Sequence, residues 1–317
     1  MGLKIDTNNS ILQKTNQYSI SNNGANKPIS VFSFDNIKAH KEDLAIAGSI
    51  TVAALIGLSV LTRKKIPVSS TKPFSFSDAH KINQDLAQFI ENDFMKQVKA
   101  TQKPTTSFDA NLPYLRIDGA GTCTFFNNEI VLSRAMLSSK YYKLVDKKSG
   151  QCLANANTGW QITGRKKDLR DIIKYKQIKN SEIVPLTREE RIKILKSTVA
   201  HEAFHSIQFA NMVMHPEIGL ERILSEIMKY QKVSSTRKQK LREIAIKTWG
   251  DLANSGKKID PESELGKRTK KQFEDWINLM KKDSDKTMTK EDYYNAATEI
   301  EAYQKELEFA IQNNLLI

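Results

Sequence analysis

The stretch from Pro185 to Pro216 limits the fold more than any other part of the chain. Thr187-Arg188-Glu189-Glu190 has the Thr-x-x-Glu form of a capping box, and His215-Pro216 supplies a stop. Between them Val199, Ala200, Ala203, Phe204, Ile207, Phe209, Ala210, Met212 and Val213 put apolar side chains on nearly every side of one helix. Such a helix belongs in the interior. It carries His201-Glu202-Ala203-Phe204-His205, which holds two of the 5 histidines in the chain. Histidines four apart project from one face, a turn apart, so both imidazoles can reach a single zinc ion. Glu202 is rotated off that pair, yet close enough to accept a proton from a metal-bound water.

The 317 residues suggest about two structural units. Residues 1–43 are rich in Asn, Ser, Thr, Gln and Lys and read as a flexible polar tail. Residues 44–61 (LAIAGSITVAALIGLSVL) carry no charge. At 1.5 Å per residue they span about 27 Å, enough for one transmembrane helix. Arg63, Lys64, Lys65 and Lys72 follow it and only Lys38 and Lys41 precede it closely, which places the bulk of the chain on the cytoplasmic side. After a linker over 62–73, Ser77 caps a helix to about Lys99 with the stripe Ile82, Leu86, Phe89, Ile90, Phe94 and Val98. Residues 108–164 read as a small sheet, with runs Thr122–Phe126 and Glu129–Ser133 joined at Asn127-Asn128. From about residue 187 the pattern is helical to the end, giving an α+β domain over 74–317.

A helix with His201, Glu202 and His205 in this setting resembles the zincin metallopeptidases, in which a small mixed sheet packs on an HExxH helix and a second helix gives a third ligand. Gln208 and Asn211 stand where the metzincin branch has Gly and His, which leaves the gluzincin-like branch. That branch takes a Glu from a downstream helix, often in a Glu-x-Glu-Ala run, and Glu299-Ile300-Glu301-Ala302 is similar to it. On a helix over 289–314 with the apolar stripe Tyr293, Ala296, Ile300, Tyr303, Leu307 and Ile311, the wheel leaves both carboxylates open. The resemblance favours Glu299, with Glu301 as the alternative. It departs in two places: Glu299 lies 94 positions after His205, and Tyr303 stands where an Asp often follows the ligand. It extends to poorly characterised bacterial peptidases and toxin-associated domains. What it implies is a zinc ion held by His201, His205 and Glu299, with Glu202 as general base in peptide hydrolysis. Tyr293, Tyr294, Tyr303 and His215 are candidate donors to the tetrahedral intermediate. Glu129, Ile130, Val131, Leu132 and Ser133 are the candidate edge strand for an extended peptide substrate.

The long gap is filled by an insertion at about 219–290, read as helices over 220–231, 236–253 and 262–282. A net charge of +13 invites a nucleic-acid reading, but no aromatic–basic interleaving of an RNA-binding module is present. The partners expected are a peptide and membrane lipid. Cys123 and Cys152 read as small buried side chains outside any metal site. Two other functions fit the same residues: a non-catalytic membrane-anchored zincin-fold protein that binds through its basic insertion, and a secreted bacterial effector protease.

Overall fold

A computed structural model describes residues 71–98, 102–109, 121–137, 140–154 and 161–317. The tail over 1–43, the apolar stretch over 44–61 and the linker up to residue 70 lie outside them. Among the described residues no helix is long and apolar enough to cross a membrane. These residues form a mixed α+β structure with two small sheets and a helical second half.

Helix α1 (Phe76–Phe89) opens on a capping box between Ser75 and Asp78, then continues through a π-helical turn at Ile90–Phe94 and a last turn at Met95–Val98. Ile82, Leu86, Phe89, Ile90 and Phe94 are buried along it, as their spacing predicts. Strands β1 (Thr105–Asp109), β2 (Gly121–Thr124) and β3 (Glu129–Ser133) follow. They form a mixed sheet in the order β1-β3-β2, parallel between β1 and β3 and antiparallel between β2 and β3. Ile130 and Leu132, two residues apart, turn one face of β3 into the core. The β2–β3 connection is longer than the expected two residues: it spans Phe125–Asn128, and Asn128 takes a left-handed φ of 49°. Phe125 thereby leaves the sheet and stacks on Trp249.

One sheet was expected across 108–164, but the polypeptide makes a second. Strands β4 (Tyr142–Asp146), β5 (Thr163–Gly164) and β6 (Ser181–Pro185) pair antiparallel in the order β5-β4-β6, and helix α2 (Lys166–Tyr175) packs on them. A 3-10 turn at Arg134–Leu137 separates β3 from this unit.

Helix α3 (Arg188–Met214) is the spine, 27 residues and about 40 Å long. Its capping box forms as read: the Thr187 hydroxyl accepts from Glu190 N at 3.1 Å, and the Glu190 carboxylate accepts from Thr187 N at 2.8 Å. His215 ends it in an extended conformation (ψ 124°), which the following Pro216 favours. Fully buried Arg191 donates to Leu137 O and Lys72 O and so ties the start of the described chain to this helix. The insertion helices α4 (Gly219–Tyr230), α5 (Ser235–Asn254) and α6 (Glu264–Ser284) lie within two residues of the expected ends. The last helix does not run unbroken over 289–314. It divides into α7 (Lys290–Tyr294) and α8 (Ala297–Gln312) at an extended Ala296 (ψ 138°).

Two apolar cores result. One joins α1, β3, the first half of α3 and the end of α8, around Phe94, Leu195, Val199 and Phe309. The other joins Phe125 and the last turns of α3 to α4, α5 and α6, around Phe209, Met212, Ile223, Trp249 and Phe273.

Candidate metal centre

Helix α8 packs along α3. The break at Ala296 restarts the helix so that Glu299 falls in the first turn of α8. There it meets His201 and His205, which the i, i+4 spacing has already placed together. The two Nε2 atoms are 3.2 Å apart. Glu299 Oε2 is 3.5 Å from His201 Nε2, and Glu299 Oε1 is 3.4 Å from His205 Nε2. A tetrahedral ion with bonds of about 2.0–2.1 Å spaces its ligand atoms about 3.3–3.4 Å apart. The three buried residues are therefore spaced as a metal site requires, and they could hold a metal ion.

What stands behind the histidines fixes which nitrogen faces inward. Glu306 Oε2 lies 3.1 Å from His201 Nδ1, and its other oxygen accepts from Ser197 Oγ at 3.0 Å. A carboxylate accepts, so His201 carries its proton on Nδ1 and turns a lone pair inward. Gln208 does the same for His205. Its amide nitrogen donates to Thr298 O at 3.0 Å and to Glu301 Oε2 at 2.9 Å, which leaves Oε1 to accept from His205 Nδ1 at 2.9 Å. Two imidazole lone pairs and a carboxylate then converge, and Glu299 Oε2 is buried without a hydrogen-bond partner. Such a donor set could hold a cation.

The carboxylates alone favour a second proton on His201 in place of that lone pair. Burial works against charge on His201, but pairing with Glu299 and Glu306 outweighs it and holds the imidazole well above the usual histidine range. Burial would raise Glu299, yet the charges of His205 and His201 and a hydrogen bond from Tyr293 keep it below the ordinary glutamate value. Burial raises Glu202; His201 and His205 oppose the rise, and Glu299 and Glu306 add to it. A divalent ion inverts part of this logic, displacing protons from imidazole and stabilising nearby carboxylates in the charged form.

Strand β2 reaches Glu202 because Gly121 has no side chain. A Cβ there would lie 3.0 Å from Thr198 Cγ2, 3.1 Å from Leu132 Cδ2 and 3.2 Å from Glu202 Cγ. Cys123, also on β2, is a free thiol pushed well up by desolvation and by the Glu202 charge, and burial pushes Cys152 to about 12.

Of the residues expected at the site, His201, Glu202, His205 and Glu299 are together. Glu301 faces the other way, accepting from Gln208 and Gln272 and pairing with Arg268 at 3.3 Å. The Tyr303 ring lies 4.5 Å from that of His201, Tyr293 bonds Glu299, and Tyr294 stands beyond Tyr303 at 6.1 Å. His215 is elsewhere: it caps α3 about 15 Å along the helix from His205, with Nδ1 accepting from Glu217 N. The candidate strand Glu129, Ile130, Val131, Leu132 and Ser133 is β3, paired on both sides by β1 and β2, so it has no edge to offer a peptide. The edge beside Glu202 belongs to β2.

Gln208 and Glu306 were missed as site residues. The signal for Glu306 was its place seven residues, two turns, after Glu299 on the same face. No family model, curated protein or solved structure matches the chain.

Proposed function

We propose that the protein is a zinc-dependent peptidase of zincin type, tethered to a membrane by residues 44–61. One observation carries this reading: two imidazole Nε2 atoms and the Glu299 carboxylate converge between buried helices, with Glu202 coupled to all three. His201, His205 and Glu299 would hold the ion through two nitrogens and a carboxylate oxygen, a donor set that suits zinc. A bound ion would supply Lewis acidity and lower the pKa of a water beside it. Glu202, at the motif position beside His201, takes the proton from the attacking water and returns it to the leaving amine. Glu306 and Gln208 hold the two imidazoles in the tautomer that faces inward. Tyr293, which bonds Glu299, and Tyr303, whose ring lies 4.5 Å from that of His201, are the candidate donors for the oxyanion. A peptide pairing in extended form with the edge of β2 lies alongside Glu202. The charge distribution around residues 44–61 puts the peptidase domain on the cytoplasmic side; export as an effector is the alternative location.

The test is hydrolysis of a fluorogenic peptide library by the full chain and its Glu202→Gln form. Glu202→Gln is expected to keep its bound zinc and lose about 10²–10⁴-fold in kcat/KM. Equal hydrolysis by both forms would contradict the role given to Glu202. A second reading is favoured by the near-complete burial of the ligands, 6 % to 8 % exposed for His201, His205 and Glu299: a structural metal in a non-catalytic binding protein. Under it the zinc-loaded wild type cleaves nothing.

A further inference from the structure

We propose that Gln272 and Arg268, on insertion helix α6, are positioning residues for His205, acting through Glu301 and Gln208. The proposal rests on the reading that His201, His205 and Glu299 hold a metal ion.

The two histidines are supported by different parts of the molecule. Behind His201 stand Glu306 of α8 and Ser197 of α3, so that support stays within the α3–α8 pair. Behind His205 the contacts lead out of that pair. Gln208 reaches Glu301 at 2.9 Å, and Glu301 accepts from Gln272 Nε2 and pairs with Arg268 Nε at 3.3 Å. Gln208 and Gln272 are 3 % and 1 % exposed, so neither amide can exchange these partners for bulk water.

Direction follows from donor chemistry. The Gln208 amide must present its oxygen to His205 Nδ1–H, because the flipped amide would set N–H₂ against N–H. Two acceptors hold it that way round, Thr298 O and Glu301 Oε2. Glu301 stays in place, partly buried, because two donors from α6 meet its oxygens. Taking those donors away leaves a carboxylate that turns towards solvent, and Gln208 then keeps only Thr298 O. The long gap between His205 and Glu299 thus contains part of the support for one of them.

The experiment measures zinc affinity of the full chain by chelator competition, and the visible d–d bands of the Co²⁺-loaded protein. Gln208→Leu is expected to weaken zinc about 10- to 100-fold, the range for loss of a group behind a ligand. Glu301→Ala and Gln272→Leu are expected to weaken it several-fold, to move the Co²⁺ bands, and to leave far-UV circular dichroism unchanged. Glu301→Gln, which still offers an acceptor to Gln208, restores most of the affinity. Lys281→Ala, exposed on the same helix, changes nothing. Arg268→Gln, on a side chain 47 % exposed, reads the same link without a change in the core. Wild-type affinity and wild-type Co²⁺ bands in Gln272→Leu, Arg268→Gln and Glu301→Ala would overturn the proposal while leaving the metal site standing. Failure of the wild type to bind either ion would remove the site itself.

Discussion

Helix α3 is packed in two ways along its length. Its first half lies in a core of aliphatic side chains and Phe rings, where Phe94 meets Phe309 at 5.4 Å. Its last turns lie in an aromatic core, where Phe125 stacks on Trp249 at 5.6 Å and Phe209 meets Trp276 at 5.0 Å. Between the two cores, residues 201–208 make directional polar contacts to Glu299, Glu301 and Glu306. Apolar burial is non-directional and holds the helix without fixing any one side chain. Charge-assisted contacts fix orientation, and they need the backbone to be held already. The cores act as clamps at the two ends, and the polar segment between them is where side-chain orientation is set.

That comparison can be broken or sharpened by substitutions on either side of it. The largest effect is expected at the aromatic clamp: Trp249→Ala removes a fully buried ring whose Nε1 donates to Phe125 O at 2.6 Å. It should cost about 3–5 kcal/mol, read by urea denaturation, and an unchanged midpoint would show that the second core does not clamp α3. Gly121→Ala comes next. Its methyl meets Thr198, Leu132 and Glu202 at 3.0–3.2 Å, so about 1–3 kcal/mol of stability should be lost. On the proposed peptidase reading, turnover should fall further than that loss explains, at full zinc content, because Glu202 is one of the three side chains the methyl crowds. Glu306→Gln keeps the shape and removes the charge beside His201. Zinc affinity should drop about tenfold with little change in unfolding; the reverse pattern would make Glu306 a packing residue. The smallest effect concerns α7. Lys282 and Thr289 hold the Asp292 carboxyl down to about 2 from an ordinary 3.8. A depressed carboxyl stabilises the fold above its unfolded value, and that contribution goes as pH falls through about 2. Amide exchange at Lys290–Tyr294 should therefore quicken between pH 4 and 2 before the α3 amides respond.

What could be read in advance followed the local rules. The Thr187 capping box, the His201–His205 face and the three insertion helices depend on residues within a few positions of each other. The place of Glu299 beside the two histidines was legible only through the resemblance. The face of α8 was read wrongly from apolar spacing: Ile311 is 51 % exposed, while Thr298, Glu299, Ala302, Glu306, Phe309 and Ala310 are buried. Ranking side chains by hydrophobicity puts carboxylates outside, and here buried imidazoles draw them in. The extended Ala296 was equally hidden, since Ala is a good helix former and nothing in Asn295-Ala296-Ala297 marks a break. The position of β3 in its sheet depends on β1, which arrives in parallel across a non-local pairing that no turn signal announces.

The central claim is that His201, His205 and Glu299 hold one divalent ion, and elemental analysis of the purified full chain tests it most directly. The account predicts about one zinc per chain in the wild type and in Glu301→Ala at saturating zinc, and none retained by His201→Ala or Glu299→Ala. A wild type that retains no stoichiometric metal at neutral pH, or a Glu299→Ala form that retains as much as the wild type, would contradict it.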